Sequence, residues 1–350
     1  MFRSLVRAGV IAVMLCVGHT AAQAQHDKEF WRTIIRQHVA VPEHESPAAL
    51  AHELSGMLAS PDPELRDDLA YSILATWIYR GNVLSTPTLI ALTDEWRGNL
   101  KSGIGEAGTY SVLKRSFSVL CLSEIAKRES KVPFLGADRY HSLVAEAITY
   151  LQSERDLRGY DPKLHWIHAT AHTADLLAAL ADSPQLTQEE ADGILRAVQA
   201  RLSTATEVFT QGEQDRLAVA VVSVIRRTDF NQSTFDPWLT TLQEEDRDVW
   251  TSTTPESLAR YQNHSYLLQA LAVHILLEDE SPRMASYRQS VLKVLAKKWP
   301  GATTANDTVW NSKGRLEAGL PTDMNGKTTS WGRSRPSRLW RRGTSRRSSP

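Results

Sequence analysis

Three of the chain's eleven histidines fall in one stretch, His165-Trp166-Ile167-His168-Ala169-Thr170-Ala171-His172-Thr173-Ala174-Asp175. On a helix turning about 100° per residue, His165, His168, His172 and Asp175 share one narrow arc. Imidazoles at i, i+4 can hold a divalent metal such as zinc from one face. Asp175 lies on the same face, and His165 or an acid of the preceding loop, such as Asp156 or Asp161, could supply a further ligand. The same groups can instead satisfy one another as a buried hydrogen-bond network, or form a ligand or catalytic site without metal. The zinc-protease pattern is excluded, because it needs Glu directly after the first His as general base, and Ala169 stands there.

Two further clusters flank this stretch. The lead-in Glu154-Arg155-Asp156-Leu157-Arg158-Gly159-Tyr160 alternates charge before a glycine turn. Its arginines could grip an anionic group bidentately or close a salt-bridged loop between helices. Arg115, in Lys114-Arg115-Ser116-Phe117-Ser118, poses the same choice. Ser116 and Ser118 lack the glycines of a nucleophile elbow. Trp77, Trp96 and Trp166 lie in apolar stripes and read as core, unless exposure on a concave face makes one a stacking platform. His264 and His274 stand alone on a late helix. P-loop, dinucleotide-fingerprint, paired-cysteine and EF-hand patterns are absent.

Helices must position these groups. From Glu29 to Trp299 apolar residues recur at helical spacing, broken by Ser46-Pro47, Ser60-Pro61-Asp62-Pro63, Ser85-Thr86-Pro87 and Ser183-Pro184. The spacing predicts helices over 64–79, 110–127, 140–152, 165–181, 188–203, 213–227, 236–242, 257–277 and 283–298. No period-2 run is long enough to predict a strand. Thr187 with Glu190 three residues on is a capping box. An apolar helix, a Pro-Asp-Pro turn and then Leu65-Arg66-Asp67-Asp68-Leu69 resembles the turn of HEAT-type repeats, in which an Arg/Asp pair bridges neighbouring repeats. Leu157-Arg158-Gly159 and Asp215-Arg216-Leu217 echo it. The expectation is an all-α chain arranged as a HEAT-like α-α superhelix, a solenoid of antiparallel helix pairs.

The ends read differently from this middle. Arg3 and Arg7 precede the apolar run Val10–Val17, and Ala22-Gln23-Ala24 suits signal peptidase, so residues 1–24 are expected to be a signal peptide. Export to the periplasm or outside the cell follows, without a transmembrane segment after cleavage. Cys121 is then the sole cysteine, in an apolar helical run, and reads as a core residue. Residues 301–350 carry ten Lys/Arg against three Asp/Glu and no helical stripe, the composition of a disordered tail. Residues 25–300, the expected helical domain, hold 28 Lys/Arg against 37 Asp/Glu, which gives no electrostatic footprint for nucleic acid.

Taken in order, Gly105-Glu106, Arg115-Ser116-Phe117-Ser118, Glu154 to Tyr160, Trp166 to Leu177 and Glu213-Gln214-Asp215-Arg216-Leu217-Ala218 resemble a bacterial family, domain-of-unknown-function family 2785. The resemblance plainly spans Gly103–Ala220 and extends over Glu29–Trp299. It implies an all-helical, HEAT-like fold with no established activity, and it singles out Arg115, Asp156, Arg158, Trp166, His168, His172 and Asp175. His165 departs from the Gly that the family pattern implies before the Trp, which leaves His168, His172 and Asp175 as the candidate metal face. Arg115, Asp156, Arg158 and Trp166 are the candidate groove residues. Two functions remain open: a scaffold whose groove binds a protein, peptide or small molecule, or a metal-dependent or hydrolase-like enzyme centred on His168, His172 and Asp175.

Overall fold

The structure, a computed structural model, describes residues 26–80, 83–278 and 281–298. The expected signal peptide (1–24) and basic tail (301–350) lie outside the described residues. Short polar caps start most helices. Asp27 caps α1 (Lys28–Arg36) by accepting from Phe30 N, and Ser46 and Ser85 do the same for α2 (Pro47–Met57) and α4 (Thr86–Asn99), each with proline in the first turn. Between them, Asp62 Oδ1 accepts from Glu64 N and opens a π-helical segment (Glu64–Tyr71) that runs directly into α3 (Ser72–Tyr79).

α5 (Ser111–Lys131), α6 (Ala137–Ser153), α7 (Ala169–Ala181), α8 (Gln188–Ser203) and α9 (Glu213–Arg226) follow, then α10 (Gln232–Glu245), α11 (Pro255–Leu277) and α12 (Pro282–Lys298). The capping box at Thr187 is formed, with its hydroxyl on Glu190 N and the Glu190 carboxylate on Thr187 N. The packing makes two rows: α5 lies on α7, α7 on α9 and α9 on α11, while α6 lies on α8, α8 on α10 and α10 on α12.

Helix α7 is the centre of the first row. All of its residues are buried except Asp175, as expected of a helix that is apolar nearly all round. Its alanines let α5 and α9 approach closely, while Leu176, Leu177 and Leu180 are fully buried, each contributing about 1.5–3 kcal/mol. Cys121 is buried in α5, and Trp77 and Trp96 are core.

One element differs from the sequence expectation. The predicted helix from His165 begins only at Ala169, because a small antiparallel hairpin, β1 (Tyr160–Asp161) with β2 (His165–Trp166), comes first. Asp161 Oδ1 accepts from Lys163 N and Leu164 N, so the turn is closed by its own side chain. His165 (φ 57°) and His168 (φ 51°) are both left-handed, which breaks any helical continuation through them. Two-residue strands are too short to leave a period-2 signal.

Candidate functional site

Helices α5, α7 and α9, the hairpin and the π-helical segment enclose a cavity of about 610 Å³. Spacing explains which side chains reach it. Asp67 and Tyr71 are four apart on the π-helical segment, Phe117, Leu120 and Lys127 follow a helical stripe on α5, and His172 and Asp175 are three apart on α7. Trp166 and His168 come from the hairpin's exit, and Gln211, Gly212, Asp215 and Arg216 from the start of α9.

The aromatic wall is built on backbone geometry. His168 is the N-cap of α7 in left-handed conformation, and this turns its ring under the Trp166 indole, with centroids 4.9 Å apart and planes 23° from parallel. Backbone strain of this kind in a residue other than glycine concentrates at functional sites. His168 Nε2 donates to the carbonyl of Gln211 at 3.1 Å, which fixes the ring. Behind it, Glu213 Oε1 is buried without a hydrogen bond, 3.5 Å from that nitrogen. A Cβ at Gly159 would meet Glu213 Oε1 at 2.5 Å and Gln211 Cβ at 2.9 Å, so a larger residue there would displace both side chains. Trp166 itself is 43% exposed.

The His172 ring is 5.6 Å from that of His168 and edge-on to Phe117 at 5.2 Å. Its Nδ1 lies 3.2 Å from the Ser116 carbonyl, which can only accept, so Nδ1 carries the hydrogen. The Ser116 hydroxyl, 2.8 Å from Nδ1, is turned to donate to the Ile167 carbonyl. Nε2 therefore keeps its lone pair, has no partner among the described residues, and belongs to a ring that lines the cavity. Burial pushes His168 down to about 4, helped by Arg216, and pushes His172 well below the ordinary imidazole range, helped by His168. Both rings are neutral at neutral pH.

The carboxylates are perturbed in the opposite sense. Burial raises Asp67 to about 6 against the pull of Arg66. Arg66 Nε stands 2.7 Å from Asp67 Oδ1, but the two are misaligned, and neither makes a hydrogen bond. The rest of the Arg66 guanidinium serves the hairpin, donating to the carbonyls of Leu164 and Trp166, and it lies over the Phe117 ring. The expected Arg/Asp bridge between repeats is thus an arginine bound to backbone oxygens. Burial also raises Asp175, which pairs with Arg216. Lys127 pairs with Glu124 at 2.8 Å.

Of the expected groove residues, only Trp166 lines the cavity. Arg115 is fully buried and bidentate on Glu154, with Nε on Oε2 at 2.7 Å and Nη2 on Oε1 at 3.0 Å, and its Nη1 holds the carbonyls of Ser102 and Gly103. Asp156 accepts from Gly108 N and from Arg158, which also donates to the Thr109 carbonyl. Arg115, Asp156 and Arg158 therefore clamp loop 102–109 to loop 154–158, away from the cavity. Their charge is consumed by backbone and neighbours, leaving none for an anion.

The candidate metal residues hold partners of their own. His168 Nε2 is taken by Gln211, His172 Nδ1 by Ser116, and Asp175 by Arg216. Among the described residues no three His, Cys, Asp or Glu groups are placed to hold a metal ion. His165 lies on the hairpin, stacked on Tyr160, and does not join the other histidines. Asp67, Tyr71, Lys127 and Gln211 were not identifiable as site residues from sequence, and Arg216 only as part of a repeat-like Asp-Arg pair.

Residues 100–273 match the family model described as "Protein of unknown function (DUF2785)". Over that span the chain belongs to this family. The DUF2785 region carries both the clamp and most of the cavity, from Phe117 to Arg216, whereas Asp67 and Tyr71 lie before it. No curated protein and no solved structure matches the chain.

Proposed function

We propose that this DUF2785 protein binds a neutral, hydroxyl-rich ring compound, a sugar, in the cavity beneath Trp166. The observation that carries this reading is the half-exposed Trp166 indole, held in place by His168 at the mouth of a walled cavity, where an apolar ring face can stack on it. The two cations of the cavity are already paired, Arg216 with Asp175 and Lys127 with Glu124, which disfavours an anionic ligand. Hydroxyl groups would find partners in His172 Nε2 and the Asp67 carboxyl. An open pocket of about 610 Å³ is of the size that small molecules occupy.

We propose further that the all-α domain expected over 25–300 is a HEAT-like α-α superhelix, a reading supported by the two rows of packed helices. The Arg-flanked apolar run and the Ala22-Gln23-Ala24 site support export to the periplasm or beyond, followed by the basic tail 301–350. No described helix is long and apolar enough to cross a membrane. N-terminal sequencing of the exported protein should read from Gln25, and a species starting at Met1 would contradict export with cleavage.

Calorimetric titration with soluble oligomers of glucose, xylose, galactose, mannose and N-acetylglucosamine tests the ligand. The expected result is binding of at least one series, weakened about tenfold or more in Trp166→Ala, as loss of an aromatic platform of roughly 1.4 kcal/mol requires. No binding by any series, or equal binding by the variant, contradicts the proposal.

A further inference from the structure

Two groups in the cavity have hydrogen-bonding capacity that the fold leaves unused. Asp67 lines the cavity from the π-helical segment with a side chain that is one-fifth exposed, while its Oδ1 is buried facing Arg66 Nε without an aligned hydrogen bond. His172 Nε2 is a lone pair on a ring that Ser116 holds in one tautomer, and it lines the cavity from α7. Asp175, the half-buried carboxylate that α7 contributes to the cavity, is committed to Arg216. A partly buried acid and a free, neutral base on different elements of one cavity are what hydrolysis by an activated water requires.

We infer that the cavity cleaves the glycosidic bond of the sugar it binds, with Asp67 as general acid and His172 Nε2 as general base. This rests on the sugar-binding reading. In the step, His172 Nε2 takes a proton from water as the water oxygen bonds to the anomeric carbon. The bond from that carbon to the leaving oxygen breaks, its electron pair stays on that oxygen, and the Asp67 proton joins it. The products are a hemiacetal and an alcohol, with Asp67 ionised and His172 protonated. Transfer of that proton through solvent back to Asp67 restores both groups. A single displacement by water gives inversion at the anomeric carbon.

The surroundings favour this division of roles. Asp67 feels Arg66, Asp68 and His165, and burial outweighs them, so the carboxyl keeps its proton up to about pH 6. Across the cavity stand His168, Asp175, Lys127, Asp215 and Arg216. Arg216 and His168 both oppose protonation of His172, which leaves the base free far below pH 6. The active form therefore persists through acid pH and disappears as Asp67 ionises.

The test uses the same oligosaccharide series, labelled at the reducing end, with the full mature protein, following binding and product release separately. The expected result is cleavage of a bound series with inversion, at a rate steady up to about pH 6 and falling about tenfold per pH unit above it. Asp67→Asn should lower kcat by about 10²–10⁴ with KM little changed. If that variant fails to fold, the wild-type pH profile decides. A series that is bound but not cleaved, cleavage undiminished well above pH 6, or an Asp67→Asn variant as fast as wild type overturns this inference and leaves sugar binding standing. Absence of binding by every series overturns the sugar reading instead.

Discussion

Arg66 and Arg115 are both fully buried arginines on neighbouring elements, yet one closes its surroundings and the other leaves them open. Glu154, opposite Arg115, also accepts from the Tyr150 hydroxyl and from the backbone of Arg155 and Asp156, so its oxygens are fully used. Asp67, beside Arg66, lines a cavity and keeps its buried Oδ1 without a hydrogen bond. A saturated ion pair has nothing left with which to meet a ligand. An unsaturated one holds a carboxyl whose proton can move. The difference separates a structural cluster from a chemical one, although both consist of Arg with a carboxylate.

Removing Arg115 should produce the largest effect on stability. Arg115→Met leaves Glu154 buried and uncompensated, with an expected loss of about 3–5 kcal/mol read from the urea midpoint. A loss under about 1 kcal/mol would erase the contrast. Sugar binding per folded molecule should be unchanged, because the clamp does not line the cavity.

The next effect is pH-dependent. Asp67 is raised from 3.8 to about 6 in the folded protein, so the folded state binds the extra proton and stability falls as pH rises across that window, by up to about 3 kcal/mol. His168 is lowered from 6.5 to about 4, so the folded state excludes a proton and stability falls as pH drops across that window, by a similar amount of roughly 3 kcal/mol. The two slopes oppose each other in the wild type. Asp67→Asn should therefore lose stability more steeply on acidification from pH 6.5 to 4, and His168→Gln should lose it on raising pH from 4 to 6. Denaturant melts at stepped pH check this, and parallel curves for all three proteins would contradict it.

The smallest stability effect belongs to Trp166, half exposed on the hairpin. Trp166→Ala should cost about 1 kcal/mol or less in thermal or urea melts, mostly the lost stacking on His168. A loss of several kcal/mol would make Trp166 a core residue and remove it from the ligand site.

Much of this molecule is legible in its residues. Proline and Ser/Thr/Asp punctuation marks the helices, and the Thr187 box places α8 over 188–203 as the structure has it. The pairing of His168 with His172 survives, although His168 is a left-handed cap where a helical residue was expected. The hairpin was hidden because its turn is closed by the Asp161 side chain and its strands are too short for alternation. Arg115, Asp156 and Arg158 carry the charge of a binding site, and only their partners reveal them as a clamp. Asp67 was hidden for the converse reason: in Leu65-Arg66-Asp67-Asp68-Leu69 it reads as half of an Arg/Asp bridge between repeats, and the π-helical segment instead carries it to the cavity.

Carbon-detected NMR titration of the Asp67 side-chain carboxyl in the wild-type protein tests the open site most directly. The account predicts a midpoint at about 6. A midpoint at the ordinary aspartate value of about 3.9 would show a solvated or fully paired carboxylate, and would contradict it.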